Sequence, residues 1–171
     1  MAELAGRLRY LRNAEAVIAF ALPAALIAHW TPAEQPIAWP LRAGGLVLVS
    51  ALLLQGALYW HLKLECVTTR TDLPTWFAPL YTALRRANLV AFAVFAILLA
   101  AAAATGTPRA DLGWSAALLA FAMLEHVNYY QRQLMYDTGR DLRAVWRRKS
   151  LRRAALGEDL RRARAESAAR A

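Results

Sequence analysis

The chain has 171 residues, of which 58% are hydrophobic and 19% are charged, and its 21 Lys and Arg exceed its 12 Asp and Glu to give a net charge of +9. A water-soluble globular chain usually has about half apolar residues and about a quarter charged residues. The composition therefore excludes an ordinary soluble domain and favours an integral membrane protein. The single Cys excludes a disulfide framework, a thiol pair for redox chemistry and a Cys-rich zinc site.

Four long apolar stretches predict four membrane-spanning helices, because about 18 consecutive apolar residues suffice to cross the hydrocarbon core of a bilayer. These spans cover roughly residues 14–30, 43–62, 87–105 and 112–130. Pro and Gly residues in the connections end the helices, and Asp111 is expected to cap the fourth helix. Residues 1–135 are thus predicted to form an all-α four-helix bundle of two hairpins, followed by a basic helical tail over residues 136–171.

The distribution of Lys and Arg predicts the orientation of the bundle, because cytoplasmic segments of membrane proteins carry the excess of positive charge. Nineteen of the 21 lie in the N-terminal segment, between the second and third spans, or after the fourth span, and only Arg42 and Arg109 lie elsewhere. We therefore expect a multi-pass protein of the cytoplasmic (inner) membrane with both termini in the cytoplasm. A basic start followed by an apolar stretch is also typical of a secretory signal peptide, which would remove the first span.

Small residues at helical spacing predict how the helices associate, since close packing over small side chains holds helices together in lipid. Ala96, Ala100 and Ala104 recur every four residues on the third helix, and Gly113 and Ala117 do the same on the fourth. Such ridges suit packing inside the bundle, in a homo-oligomer or against a partner membrane protein. An Ala-rich composition alone would also produce them.

Two segments are predicted to lie at the membrane surface. Residues 68–86 contain apolar side chains at helical spacing and are expected to lie at headgroup level. The tail is expected to bind anionic lipid headgroups, with an attraction of roughly 1 kcal/mol per nearby positive charge. Its interleaved acidic residues and the lack of a recognition fold argue against nucleic acid. The predicted lipid contacts of the tail are Trp146, Arg147, Arg148 and Lys149.

Ionisable residues inside a span cost about 2.5–3.5 kcal/mol on insertion scales, so they mark candidate functional sites. The cytoplasmic ends of the second and fourth spans carry such residues and can meet. The candidate catalytic residues are Glu125, His126, Glu65 and His61. The candidate ligand-binding residues are Asn128, Tyr129, Tyr59 and Gln55, together with Arg70, Arg85 and Arg86, which would hold an anionic headgroup.

Three interpretations of these polar residues remain open. In the first, the fourth helix leaves the hydrocarbon near Asn128, Glu125 pairs with Arg132 or Lys63, and His126 is a hydrogen-bonded histidine at a helix interface. In the second, the polar residues line a cavity that opens to the cytoplasm and binds a substrate or carries protons. In the third, they hold a metal or haem. The last is the weakest, because the adjacent residues Glu125 and His126 diverge by about 100° on a helix, and no metal site is predicted.

The sequence contains no HExxH motif, no Gly-rich phosphate loop and no G-x-S-x-G motif. We therefore expect a non-catalytic component or accessory subunit of a membrane assembly, with a tail that binds the inner leaflet. The alternative is a membrane-embedded enzyme or transporter for a lipid or small molecule, with its polar site between the second and fourth helices on the cytoplasmic side.

Overall fold

A computed structural model describes residues 2–32, 37–134 and 153–169. Over these ranges the chain forms helices and no strand, so the all-α prediction is confirmed. The helices are α1 (Ala2–Trp30), α2 (Trp39–Thr69), α3 (Phe77–Ala104), α4 (Arg109–Tyr130) and α5 (Ala155–Ala169).

Three of these helices, α1, α2 and α3, are long and apolar enough to cross a membrane. The most apolar 18-residue stretches of α1 and α3 are only 6% and 17% buried within the protein, against 50% for α2. Large side chains such as Phe20 and Ile97, each 68% exposed, project from these outer helices. Because contiguous apolar surface of this extent is unfavourable in water, lipid is the solvent that suits it.

Helix α2 is the centre of the bundle and packs against α1, α3 and α4, most extensively against α1. Its side chains Val49, Leu52 and Tyr59 are fully or almost fully buried. Its small residues lie at helix contacts, where Gly45 faces Leu118 of α4 and Gly44 faces Phe95 of α3. These small residues let the neighbouring helices approach α2 closely, as expected for packing in lipid.

The small-residue ridges of the outer helices lie on a different side from these contacts. Ala96, Ala100 and Ala104 of α3 are exposed, as are Gly113 and Ala117 of α4. Nothing lies within 4 Å of a Cβ built on Gly113. The ridges therefore do not pack inside the bundle of this single chain.

One end of the bundle, which we call the tryptophan end, brings together Trp30, Trp39 and Trp114. The ring centroids of Trp30 lie 6.4 Å from Trp39 and 5.5 Å from Trp114. The guanidinium of Arg42 lies 4.7 Å from the centre of the Trp30 ring. The α1–α2 and α3–α4 connections therefore lie at the same end, as the two-hairpin arrangement requires.

Asp111 does not cap α4, so that expectation was wrong. Pro108 precedes the helix without a side-chain cap, and Asp111 lies in the first turn. Its Oδ1 accepts a hydrogen bond from Arg42 Nε at 2.6 Å, and its Oδ2 accepts one from the Ala38 amide at 3.2 Å. Both charged side chains are buried. The Asp111 carboxylate therefore forms an ion pair with another helix and does not cap its own.

The opposite end, which we call the arginine end, contains the α2–α3 connection, the end of α4 and the start of α5. Here α2 ends at Thr69, and the next residue, Arg70, has a left-handed backbone (φ 56°) and donates its amide to the Cys66 carbonyl. Residues 77–86 form the first turns of α3, continuous with the apolar stretch that follows. The predicted surface segment is therefore in part an extension of the third helix.

Helix α5 packs on the ends of α3 and α4. Leu156 and Leu160, four residues apart on one face, are 2% and 3% exposed. A Cβ at Gly157 would overlap the carbonyl oxygen of Tyr130, so only glycine permits this approach of the two backbones. The last described part of the tail is thus a docked helix, with three arginines balanced by Glu158, Asp159 and Glu166.

Candidate functional site

The four candidate catalytic residues occupy different environments. His61 and Glu65 are exposed on α2. His126 is buried on α4, where its ring lies 5.6 Å from that of Phe92 and 4.7 Å from that of Tyr130, between centroids. The helical spacing that aligned His61 with Glu65 placed them on the outer side of α2, away from the helix contacts.

Glu125 and Asn128 form a local pair on α4. The Asn128 amide donates to Glu125 Oε2 at 3.3 Å, and Asn128 Oδ1 accepts from the Leu134 amide at 2.9 Å. Lys63, one partner expected for Glu125, instead forms an ion pair with Asp159 of α5 at 2.8 Å. The buried ring of His126 has no hydrogen-bond partner among the described residues.

The residue that connects the helices at this depth is Glu15, which the sequence interpretation missed. Its carboxylate accepts hydrogen bonds from Trp60 Nε1 at 2.8 Å and from the Tyr129 hydroxyl at 2.6 Å. It thereby joins α1, α2 and α4. Gly56 faces the same point, and a Cβ there would overlap Glu15 Oε2. The signal that could have found it is an acidic residue at the very start of the first apolar stretch.

A second cluster joins α2, α3 and α4 through paired amides. Gln55 Nε2 donates to Asn88 Oδ1 at 3.1 Å, and Asn88 Nδ2 donates to Gln55 Oε1 at 2.9 Å. The Tyr130 hydroxyl donates to Gln55 Oε1 at 3.1 Å, and the Tyr81 hydroxyl donates to the Gln55 carbonyl at 2.9 Å. Asn88 itself is buried. Gln55, a candidate ligand-binding residue, is therefore held by protein partners.

Tyr59, another candidate ligand-binding residue, fastens α5 to the bundle. Its buried hydroxyl donates to Asp159 Oδ2 at 2.7 Å, the oxygen that also contacts Lys63. Tyr129 and Tyr59 thus serve as donors between helices. Nothing in the spacing of the sequence pointed to Asp159, which lies 100 residues further along the chain.

The arginine end contains a cavity of about 440 Å³ between α3, the end of α4 and α5, which we call the arginine cavity. Five arginines line it, together with Tyr130, Gln131, Gly157 and Leu160, and no carboxylate is among the described lining residues. The five are Arg85, Arg132, Arg153, Arg161 and Arg164. An excess of guanidinium groups around one space favours the binding of an anion.

The three arginines predicted to hold a headgroup separate in the structure. Arg85 lines the arginine cavity. Arg86 lines a neighbouring groove of about 450 Å³ along α3. Arg70 is exposed at the end of α2. Trp146, Arg147, Arg148 and Lys149, the predicted lipid contacts, lie outside the described residues. Within the described ranges, no three His, Cys, Asp or Glu side chains are grouped to hold a metal ion.

The fold defines an all-helical protein with three helices able to cross a membrane. The chain matches no protein-family model, no curated protein and no solved structure.

Proposed function

We propose that this chain is a small, non-catalytic component of a membrane assembly, with four spans, both termini in the cytoplasm and the arginine end at the inner leaflet. The observation that carries the proposal is the use of polar residues inside the bundle. Glu15, Gln55 and Tyr59 each bond to side chains of other helices. A buried polar group that is hydrogen-bonded to another helix holds the helices together, and a substrate would have to displace that partner.

The fourth span is supported by the distribution of side chains around α4. Its polar residues Asp111, Ser115 and His126 are buried against neighbouring helices. Its exposed face carries apolar side chains, among them Met123 and Leu124, which are 49% and 56% exposed. A helix with its polar side inward and its apolar side outward suits lipid on its free face.

The orientation is supported by the contrast between the two ends. Positive charge concentrates at the arginine end, and cytoplasmic ends of spans carry that excess. At the tryptophan end, Arg42 is neutralised by Asp111. The indole rings there suit the membrane–water interface.

The exposed ridge of Ala96, Ala100 and Ala104 supports association through the outer helices. In lipid, a smooth ridge of small residues lets a second helix approach closely. We propose that this ridge contacts a second copy or a partner membrane protein. Contact with lipid is enough to explain the exposed apolar face. The small residues are the feature that indicates contact with a helix of another molecule.

Sidedness is tested by labelling single cysteines in a Cys66→Ser background with a membrane-impermeant maleimide. Thr105→Cys, exposed at the tryptophan end, is expected to react in intact cells. Arg162→Cys, exposed on α5, is expected to react only after permeabilisation. Reaction of Arg162→Cys in intact cells would contradict the proposal.

Association is tested by disulfide crosslinking in native membranes in the same background. Ala100→Cys lies on the ridge, whereas Leu98→Cys is exposed at the same depth on roughly the opposite face of the helix. Crosslinking of Ala100→Cys, to itself or to a partner, with little crosslinking of Leu98→Cys is expected. Equal crosslinking of both positions would contradict a specific interface.

One observation favours a second candidate, the membrane-embedded enzyme or transporter. His126 is 2% exposed, and its ring nitrogens have no partner among the described residues, while half-buried Glu125 is adjacent in sequence. In that function Glu125 exchanges protons and His126 binds or transfers them. Glu125→Gln and His126→Gln would then abolish activity with unchanged expression. In the proposed non-catalytic role, Glu125→Gln leaves assembly and cellular function nearly intact.

A further inference from the structure

Five arginines surround the arginine cavity, and no carboxylate is among the lining residues that the structure describes. Like charges around one space repel each other, and an anion between them removes that cost. We propose that the arginine cavity binds a phosphate group, supplied by the headgroup of an anionic phospholipid. The proposal deepens the proposed function and rests on it only for the position of the arginine end at headgroup level.

The cavity is built by three separate parts of the chain. Arg85 comes from α3 and Arg132 from the end of α4. Arg161 and Arg164 come from α5, three residues apart on one side of the helix, and Arg153 lies just before its start. Docking of α5 is therefore what brings the five guanidinium groups around one space.

The close approach of α5 to α4 sets the position of the side of the cavity that α5 forms. Gly157 lies against the Tyr130 carbonyl, and both residues line the cavity. Leu156 and Leu160 are buried beside Gly157, and Asp159 is held by Tyr59. The cavity is thus supported by buried contacts behind it, which keep its cationic wall in place.

The arginines that line the cavity suit a phosphate group. A guanidinium presents a planar set of N–H donors that matches the oxygens of phosphate and forms two parallel hydrogen bonds. A water molecule occupies about 30 Å³ of liquid, so a cavity of about 440 Å³ has room for a phosphorylated glycerol as well as for a single ion.

The groove beside the cavity favours a phospholipid as the source of the phosphate. Its walls include the apolar residues Ala78, Pro79 and Ala83 of α3. Arg164 lines both spaces, and it donates to the Thr82 hydroxyl from Nε at 3.2 Å. A phosphate in the cavity therefore lies next to an apolar surface that suits an acyl chain.

Binding is tested with the purified full-length chain in a non-ionic detergent, by native mass spectrometry and thermal unfolding. The probes are phosphatidylglycerol, phosphatidylcholine and inorganic phosphate, added separately. Phosphatidylglycerol is expected to bind and to raise the unfolding temperature, whereas phosphatidylcholine is not. Its zwitterionic headgroup brings a positive charge towards the arginines.

Variants assign the binding to the cavity. The double variant Arg153→Gln/Arg161→Gln is expected to weaken phosphatidylglycerol binding at least tenfold. Arg162→Gln is the matched control, because Arg162 is exposed on the same helix and does not line the cavity. Ala83→Trp fills the groove and is expected to weaken lipid binding while leaving inorganic phosphate binding unchanged.

Equal binding of the two lipids, or an equal loss in the Arg162→Gln control, would overturn the proposal. Binding of inorganic phosphate with the same arginine dependence, but no binding of phosphatidylglycerol, would overturn the phospholipid as the source. The micelle experiment does not depend on orientation. A failure of the sidedness labelling would therefore contradict the proposed function and leave the cavity result standing.

Discussion

The two ends of the bundle use arginine in opposite ways. At the tryptophan end, Arg42 is buried, bonded to Asp111 at 2.6 Å and covered by the ring of Trp30. At the arginine end, five arginines line a cavity, and no carboxylate is among the lining residues that the structure describes. A buried guanidinium bonded to a carboxylate stabilises the contact between two helices, whereas several guanidinium groups around one space favour an external anion. The same side chain therefore stabilises one end and, in our proposal, binds a ligand at the other.

The largest expected effect comes from breaking the ion pair of the tryptophan end. Arg42→Met leaves Asp111 buried without its charged partner, which is expected to cost about 3–5 kcal/mol of unfolding free energy. Unfolding in mixed micelles, followed by titration with denaturing detergent, measures the loss. The double variant Arg42→Met/Asp111→Leu is expected to recover much of it, because no uncompensated charge remains.

The control is Arg109→Met, since Arg109 is exposed in the first turn of α4. Its effect is expected to stay within about 0.5 kcal/mol. A loss for Arg42→Met no larger than that of Arg109→Met would remove the contrast between the two ends.

A smaller effect is expected at the Glu15 cluster between the ends. Gly56→Ala places a methyl group against the Glu15 carboxylate and Tyr129, and such overpacking costs about 1–3 kcal/mol. Gly113→Ala is the matched substitution, because nothing lies within 4 Å of its Cβ. Since alanine favours the helical conformation more than glycine does, the unfolding free energy of the control should rise by up to about 1 kcal/mol. Equal responses of the two variants would contradict the close approach at Gly56.

The docking of α5 includes the hydrogen bond from Tyr59 to Asp159, and the removal of this one contact should have a smaller effect. Tyr59→Phe removes the donor to Asp159, at an expected cost of about 1 kcal/mol to the docked state. The initial rate of trypsin cleavage within α5 should therefore rise roughly fivefold. Tyr10→Phe, at a 69% exposed tyrosine, is the control and should leave the rate unchanged. An unchanged rate in Tyr59→Phe would show that Asp159 is held by other contacts.

The smallest effect is expected at the arginine cavity itself. Arg161→Gln removes one of five like charges, so without an added anion it should change stability by less than about 0.5 kcal/mol or raise it slightly. The same unfolding titration used for Arg42→Met measures it. A loss above 1 kcal/mol would indicate that Arg161 has a structural role like that of Arg42.

Much of the fold could be predicted from the sequence, because length and hydropathy are local properties. The helices α1, α2 and α3 lie where long apolar stretches predicted them. The observed helices begin before the predicted spans, because charged residues such as Arg, Glu and Lys also favour a helix although they do not belong to an apolar stretch. Asp111 was recognised as a residue at the start of α4, but its partner Arg42 lies 69 residues away. Helical spacing says nothing about such a pair.

The candidate site could be predicted only in part. Polar residues near the ends of α2 and α4 were recognised, and Gln55, Tyr59 and Tyr129 do make contacts between helices. Glu15 was missed because it lies at the edge of the first apolar stretch, where an acidic residue is usually taken to mark the beginning of a span. Its role depends on the rotation of α1 against α2 and α4, which no single helix specifies.

The sequence by itself determined that this chain is helical, that it is suited to a membrane and that its positive charge is concentrated in three segments. These properties follow from the types of residues along each stretch. The tertiary structure decided which polar groups satisfy each other and that five arginines from three segments surround one cavity. Such pairings depend on the depth and rotation of each helix, and these are set by the packing of all the helices together.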